Sequence, residues 1–242
     1  MTIFRDAWVL VRADFRGDKL NIVRVLLFSI IFMGYMAAMT GMVTEDTLSG
    51  TDGRLMSDFL LISMIPMLGF TFSRRTMKYL SEDSYTRMLA YMRSLPVPAA
   101  VILCKRKLDA MFSFCLNGVL FFGLMYAISD NIRSQLSGTS YVAFAFTWIG
   151  YGLMMTGIYI VVEFLVSGKA YFWITLTLML LSFGVALLIQ WGDGNLFLYS
   201  VSCSKEWGLL SPLMWGTLLL GTVSVQLFSK LTIHRLKSRD LV

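Results

Sequence analysis

Few side chains in this sequence have the type and spacing that chemistry requires. The single histidine, His234, lies in a basic C-terminal stretch, where we expect it to be solvated. Cys104, Cys115 and Cys203 lack the short spacings typical of metal sites. The sequence contains no glycine-rich loop ending in Lys-Ser or Lys-Thr, the pattern that binds nucleotide phosphates. We therefore expect no catalytic residue, metal or cofactor in this chain, and an enzyme is the least favoured class.

Two polar residues lie within long apolar runs and are candidates for a substrate path or a gate. A charge at mid-membrane costs about 2.5–3.5 kcal/mol on insertion scales. Glu163 falls near one end of its apolar run, where this cost is lower, so it is either a carboxylate paired with Lys169 or an arginine, or a gating or proton-coupling group. Asn117 either lines a path or bonds between helices.

The composition predicts the elements that position these residues. Hydrophobic residues make up 57% of the 242 positions and charged residues 15%, against about 25% charged residues in a typical soluble domain. A soluble protein of this size could not cover its core with so few charges. The net charge of +6 is distributed between apolar runs, which does not favour a nucleic-acid-binding surface. The sequence therefore predicts an all-α polytopic membrane protein.

The apolar runs predict one transmembrane domain, residues 1–242, with six spans. Pro66 removes a backbone donor from the second span, so we expect a kink there. A loop at about 192–208 contains a short apolar stretch, and residues 230–242 form a basic tail. The predicted spans are residues 22–43, 55–73, 110–128, 141–166, 171–191 and 209–229.

The basic residues predict the orientation of these spans. Six spans put both termini on one side, and 18 of the 21 Lys and Arg residues then fall on that side. An excess of this size marks the cytoplasmic side. We therefore expect both termini in the cytoplasm and three basic residues outside: Arg54, Arg133 and Lys205.

The N-terminal residues 1–21 predict an amphipathic helix in the membrane interface. Its apolar residues recur at helical spacing on one face, while arginines occupy other positions, a pattern that suits contact with anionic lipid. The apolar face comprises Phe4, Ala7, Trp8, Val11 and Phe15.

The basic segment 80–109 between spans 2 and 3 predicts a short amphipathic helix at about 82–94. Ser81 can cap this helix, and Pro96 ends it because a residue before proline is disfavoured in the helical region. Pro98 can then start the helix that leads into span 3. The apolar stripe consists of Tyr85, Met88, Leu89 and Met92, with Arg87 and Arg93 off the stripe. This helix is either a docking surface for a cytoplasmic partner or a helix that lies on lipid.

The order of an amphipathic N-terminal helix, six spans and a basic loop ending in Ser94-Leu95-Pro96-Val97 resembles the permease subunits of bacterial ABC transporters of the type-2 exporter class. The architecture covers the whole chain, whereas the motif covers a short stretch. Pro98-Ala99-Ala100 departs from the polar Ser-Arg that often follows Pro-Val in that class.

This resemblance implies a function and a set of partners. The helix at about 82–94 would be a coupling helix that inserts into a separate ATP-binding subunit, two copies of which would carry ATP and Mg²⁺. A second permease chain, identical or homologous, would complete the substrate path in a bacterial plasma membrane, and residues 192–208 would form an external re-entrant element. The implied partner-binding residues are Glu82, Tyr85, Arg87, Met88, Leu89, Met92, Arg93, Leu95 and Pro96.

Two other functions stay open from the residues alone. One is an ion-coupled secondary transporter or channel that uses Glu163. The other is a membrane sensor or immunity scaffold that binds a partner without transport.

Overall fold

The computed structural model describes residues 3–17, 19–50, 53–70, 91 and 97–236. These residues contain helices and no strand, as expected for an all-α fold. Two 3-10 helices, Ile65–Gly69 and Gly208–Leu210, lie among nine α-helices of the described chain. The α-helices are α1 (Ile3–Gly17), α2 (Lys19–Leu48), α3 (Arg54–Met64), α4 (Ala99–Ile128), α5 (Asp130–Gln135), α6 (Gly138–Leu165), α7 (Gly168–Trp191), α8 (Leu196–Trp207) and α9 (Pro212–Leu236).

Five of the described helices are long and apolar enough to cross a membrane. They are α2 from Ile22 onward, α4, α6, α7 and α9. Each has at least 24 residues, so each is about 36 Å long or more at 1.5 Å per residue, compared with a hydrocarbon core of about 30 Å. These helices support a multi-pass membrane protein.

The second predicted span is not a continuous α-helix. Residues 54–64 form α3, and the chain then tightens into the 3-10 helix Ile65–Gly69, with Pro66 in its first turn. Phe70 is extended, with φ −93° and ψ 139°. Proline lacks the N–H that an α-helix needs at this position, so the break occurs where the sequence predicted a kink. The predicted remainder, residues 71–73, lies outside the described chain.

Several helices extend beyond the predicted spans. α2 continues to Leu48 although span 1 was expected to end at residue 43, and α9 continues to Leu236 through part of the predicted tail. α4 begins at Ala99, so it joins the end of the basic segment to span 3 without a break. Hydropathy marks where a helix leaves lipid, but the backbone hydrogen bonds continue in water as long as the residues tolerate a helix.

Two ends of the helix bundle can be distinguished. At one, named the basal end, Val97 packs against two apolar clusters, one holding Ala7 of α1 and the other holding Leu236 of α9. α5 and α8 lie at the opposite end, named the distal end, where Asn131 contacts Ser49 after α2. The start of α1 and the end of α9 therefore share one end of the bundle.

An aromatic cluster fills the core toward the distal end. The Phe144 ring of α6 meets Phe122 of α4 and Phe197 of α8 edge to face, with ring centroids 6.3 Å and 5.9 Å away. Trp148 extends this cluster and donates its indole N–H to the Ser200 hydroxyl at 3.2 Å. Offset and edge-to-face contacts are the favoured geometries for aromatic rings, so this cluster anchors α8 on the bundle.

α1 uses part of its apolar face for packing within the protein. Ala7 and Val11 are buried against Val101 and Leu108 of α4. Phe4 on the same face stays exposed. The predicted helix is present, but its apolar face is divided between α4 and its surroundings.

Candidate functional site

The predicted partner-binding residues lie outside the part of the chain that the structure describes. Within the expected coupling helix 82–94, the structure describes Tyr91, which is helical and exposed. The docking surface therefore stays a prediction. The structure describes the chain that follows it, from Val97 onward. The partner-binding set comprises Glu82, Tyr85, Arg87, Met88, Leu89, Met92, Arg93, Leu95 and Pro96.

α4 begins within the basic segment, immediately after Pro98. Pro98 adopts φ −60° and ψ 140° as the N-cap, and its carbonyl oxygen accepts the N–H of Val101 at 2.9 Å. Val97, one residue earlier, packs on the apolar clusters of the basal end. The sequence-based expectation that Pro98 starts the helix into span 3 is confirmed.

A buried lysine connects the start of α4 to α1. The Lys105 ammonium lies 2.7 Å from the Asp14 carboxylate of α1 and 2.8 Å from the Asp109 carboxylate one turn along α4. Lys105 is only 5% exposed, so the cation has little access to water. Because a buried charge requires a counter-ion, both carboxylates neutralise this cation, and the Asp14 contact joins α1 to α4.

The next residue of α4 forms an ion pair with α6. Arg106 Nε donates to Glu163 Oε2 at 2.8 Å, and both side chains are mostly buried, at 14% and 13% exposure. The interpretation of Glu163 as a carboxylate paired near the end of its span is confirmed, with an arginine rather than Lys169 as the partner. Lys105 and Arg106 thus connect α4 to two different helices from adjacent positions.

Asn117 binds the broken end of span 2. Its Nδ2 donates to the carbonyl oxygens of Leu68 at 2.9 Å and Phe70 at 3.1 Å. Phe70 is extended, so the helix does not continue through it, and the Asn117 amide supplies a donor to both carbonyls. Asn117 is 1% exposed, and this geometry is that of a bond between helices.

The structure does not bring the two gating candidates together. Glu163 pairs with Arg106, which precedes Asn117 by eleven residues on α4. Eleven residues of α-helix span about 16 Å. Asn117 and Glu163 therefore occupy different levels of the bundle, one beside the helix break and one near the basal end.

Sequence reasoning missed a buried acid at the distal end. Asp58 of α3 is 2% exposed, and its two carboxylate oxygens accept the backbone N–H groups of Leu196 and Phe197 at 2.9 Å and 2.8 Å. Asn195 caps the same helix, α8, and also donates to the Arg54 carbonyl at 2.8 Å. An Asn before an apolar run is a recognisable cap signal, whereas no local pattern links Asp58 to α8.

Glycines hold α6 and α9 in close contact. A Cβ on Gly150 would lie 2.6 Å from the backbone nitrogen of Leu218, and one on Gly157 would lie 2.7 Å from Ser224 Oγ. The Ser224 hydroxyl donates across the interface to the Met154 carbonyl at 2.8 Å. Such close backbone approach at small residues is typical of tightly associated membrane helices. α6 and α9 thus form one packed pair.

The described ion pairs, hydrogen bonds and glycine contacts join neighbouring helices to one another. Within the described ranges, no three His, Cys, Asp or Glu side chains are grouped as metal ligands would be. No family model, curated protein or solved structure matches this chain.

Proposed function

We propose that this chain is the membrane-spanning permease subunit of an ATP-driven exporter of the ABC type. Two permease chains form the substrate path, and a separate ATP-binding subunit docks on each through the helix at about 82–94. The observation that supports this most is the attachment of α4, which starts shortly after the docking helix at about 82–94 and is ion-paired to both α1 and α6.

The attachment gives a route for motion from the docking helix into the spans. A displacement of residues 82–94 passes through Pro98 into the first turn of α4. Arg106 transmits the displacement to Glu163 of α6. α9 then moves with α6, because the two helices are in close contact at their glycines. On the N-terminal side of the docking helix, the 3-10 helix Ile65–Gly69 interrupts span 2. This break separates the displaced residues from α3, which lies toward the distal end.

The positions of the charges support the proposed orientation. Arg54, Arg133 and Lys205, the three basic residues expected outside, lie on α3, α5 and α8 at the distal end. In this proposal the basal end and both termini face the cytoplasm of a bacterial cell. α1 then lies at the cytoplasmic interface, and the ATP-binding subunits, with ATP and Mg²⁺, lie below it.

The weakly covered helices suit a second permease chain and lipid. In the most apolar 18-residue stretch of α7, only 6% of the residues are buried within the chain, and in that of α2 only 17% are buried. Helices with this much apolar surface need contact with lipid or with another transmembrane helix. The dimeric substrate path of the proposal supplies such contact.

The test is co-purification of the ATP-binding subunit from native membranes. The variants Met88→Asp and Leu89→Asp place a charge on the apolar stripe of the docking helix and should abolish both capture of the subunit and transport. Leu210→Asp, at an exposed apolar residue of the distal end, is the matched control and should retain capture. Capture that persists in both stripe variants would refute docking through residues 82–94.

An ion-coupled secondary transporter is the second candidate, because Glu163 is a buried carboxylate within a membrane-spanning helix. That function predicts gradient-driven transport by the purified chain alone, lost in Glu163→Gln. The exporter predicts no transport without the ATP-binding subunit. A sensor or immunity scaffold would bind a partner and show no substrate-stimulated turnover with it.

A further inference from the structure

An open cleft lies at the distal end between the start of α3 and the end of α7. Its volume is about 500 Å³. Phe59 of α3 and Phe183 of α7 pack edge to face beneath this level, with ring centroids 5.4 Å apart, and hold the two walls together. The lining residues are Arg54, Leu187, Gln190, Trp191, Asp193 and Gly194.

The two walls of the cleft carry opposite charges, Arg54 on α3 and Asp193 after α7. Arg54 and Asp193 are both exposed, and neither makes an ion pair with the other or with any other residue in the described ranges. The cleft therefore presents a cation and an anion to a ligand, which suits a zwitterion rather than a simple anion or cation.

Both charges occupy positions that the local fold disfavours. Arg54 is the first residue of α3, and a cation at a helix N-terminus opposes the helix dipole. Asp193 follows the C-terminus of α7, where an anion opposes the dipole in the same way. Helix stability does not explain either position, whereas a contact with a bound ligand would explain both.

Asp193 also has a backbone conformation that favours glycine. Its φ of 53° makes it the non-glycine residue of the described chain with a positive φ, and Gly192 and Gly194 flank it. The Gly194 N–H closes the helix end by donating to the Ile189 carbonyl at 2.9 Å. Glycine is the usual residue at this left-handed position of a helix end. Aspartate is among the non-glycine residues that adopt this conformation most readily, so the helix end can carry a carboxylate here.

The remaining lining residues indicate that the ligand belongs to the membrane. Leu187, Gln190 and Trp191 lie on one face of the last turns of α7. Trp191 is 83% exposed, as expected of an aromatic residue at headgroup depth. Below it, α7 exposes an apolar surface along which an acyl chain can run.

We propose that this cleft binds the headgroup of a phospholipid that carries a phosphate and a primary ammonium group. Arg54 pairs with the phosphate, Asp193 accepts from the ammonium group, and Gln190 and Trp191 complete the polar wall. A quaternary ammonium has no N–H to donate to Asp193, so a choline headgroup fits less well. This site is independent of the exporter function.

Native mass spectrometry of the full-length purified chain tests the proposal. The chain is equilibrated with equal amounts of phosphatidylethanolamine, phosphatidylcholine and phosphatidylglycerol, and the retained lipids are counted. The unmodified chain should retain phosphatidylethanolamine preferentially. Arg54→Gln should lower the retention of all three lipids by about three- to fivefold, because each carries a phosphate, and Asp193→Asn should lower that preference by about the same factor, as expected for loss of one partly exposed ion pair. Arg133→Gln, which alters another exposed arginine of the distal end, should leave it unchanged.

Asp193→Gly separates binding from folding. Glycine relieves the left-handed backbone, so this variant should unfold at the same or a higher temperature while losing the lipid preference. An unchanged preference for phosphatidylethanolamine in Asp193→Gly, together with unchanged lipid retention in Arg54→Gln, would overturn the site. Full displacement of the lipid by millimolar soluble phosphoethanolamine would overturn the assignment to a membrane lipid and indicate a soluble zwitterion.

Discussion

Arg106 of α4 and Glu163 of α6 form an ion pair, with Nε and Oε2 2.8 Å apart, that connects two helices expected to cross the membrane. The pair lies in the same region as the Lys105–Asp14 contact, so α4 is fixed to its neighbours on two sides near the basal end. Because α4 begins just after the predicted docking helix, under the proposed function these contacts would decide which helices respond to a partner.

Breaking this pair should lower stability more than exchanging its charges. Glu163→Gln and Arg106→Gln each leave a mostly buried charge without its partner and should destabilise the fold by about 2–4 kcal/mol. The double variant Arg106→Glu/Glu163→Arg should recover much of that loss. Thermal unfolding in detergent measures this, with Lys169→Gln as the control. Equal losses in the single and exchanged variants would mean that packing, not charge, matters at this position.

The contact between α6 and α9 should not tolerate a side chain at Gly150. Gly150→Ala brings a methyl group to 2.6 Å from the Leu218 backbone nitrogen, so the helices must separate. We expect a loss of about 1–3 kcal/mol. Gly184→Ala on α7 is the control, because a Cβ there has no neighbour within 4 Å, and it should be neutral or slightly stabilising. Thermal unfolding of both variants distinguishes these outcomes.

Removing Asp58 should loosen α8. Asp58→Ala leaves two backbone N–H groups at the start of α8 without their acceptors, at a cost of about 0.5–2 kcal/mol. Hydrogen exchange should accelerate at the Leu196 and Phe197 amides. Asp130→Ala, which removes an exposed acid of the distal end, should leave exchange in α8 unchanged. Unaltered exchange in Asp58→Ala would show that the buried Phe197 ring alone holds the helix start.

The break in span 2 should depend on the Asn117 amide. Asn117→Leu leaves the Leu68 and Phe70 carbonyls buried without this donor, which should cost about 1–3 kcal/mol. Asn117→Asp should be at least as harmful, since a carboxylate faces two carbonyl oxygens. Asn131→Leu is the control, as its amide bonds at the distal end. Thermal unfolding and protease sensitivity near residue 70 report the result.

Local patterns in the sequence predicted the helices and the break. Long apolar runs identified α2, α4, α6, α7 and α9, and Pro66 marked the position where the second span changes geometry. The apolar runs did not predict where the helices end, because Leu48 and Leu236 lie in polar stretches that remain helical beyond those runs. Hydropathy reports the solvent around a helix rather than its hydrogen bonds.

Contacts between distant residues accounted for most of what the sequence did not show. A carboxylate at position 163 required a cation, but choosing Arg106 over Lys169 depended on how α4 lies against α6. Asn117 was recognised as a polar residue within an apolar run that could line a path or bond between helices, yet its acceptors are 47 and 49 residues away. Asp58 and Leu196 are separated by 138 residues, and no periodicity in either segment indicates the other.

The length of α4 has a geometrical consequence for the aromatic cluster. With 30 residues, α4 is about 45 Å long, and a tilt of about 5° around its basal end moves its far end by about 4 Å. Phe121 and Phe122 lie on that far part and are buried among the rings of α6 and α8. A close-packed interior cannot absorb such a displacement without exchanging ring contacts. Under the proposed coupling, a small rotation at the basal end would therefore require the phenylalanine contacts within this buried cluster to rearrange.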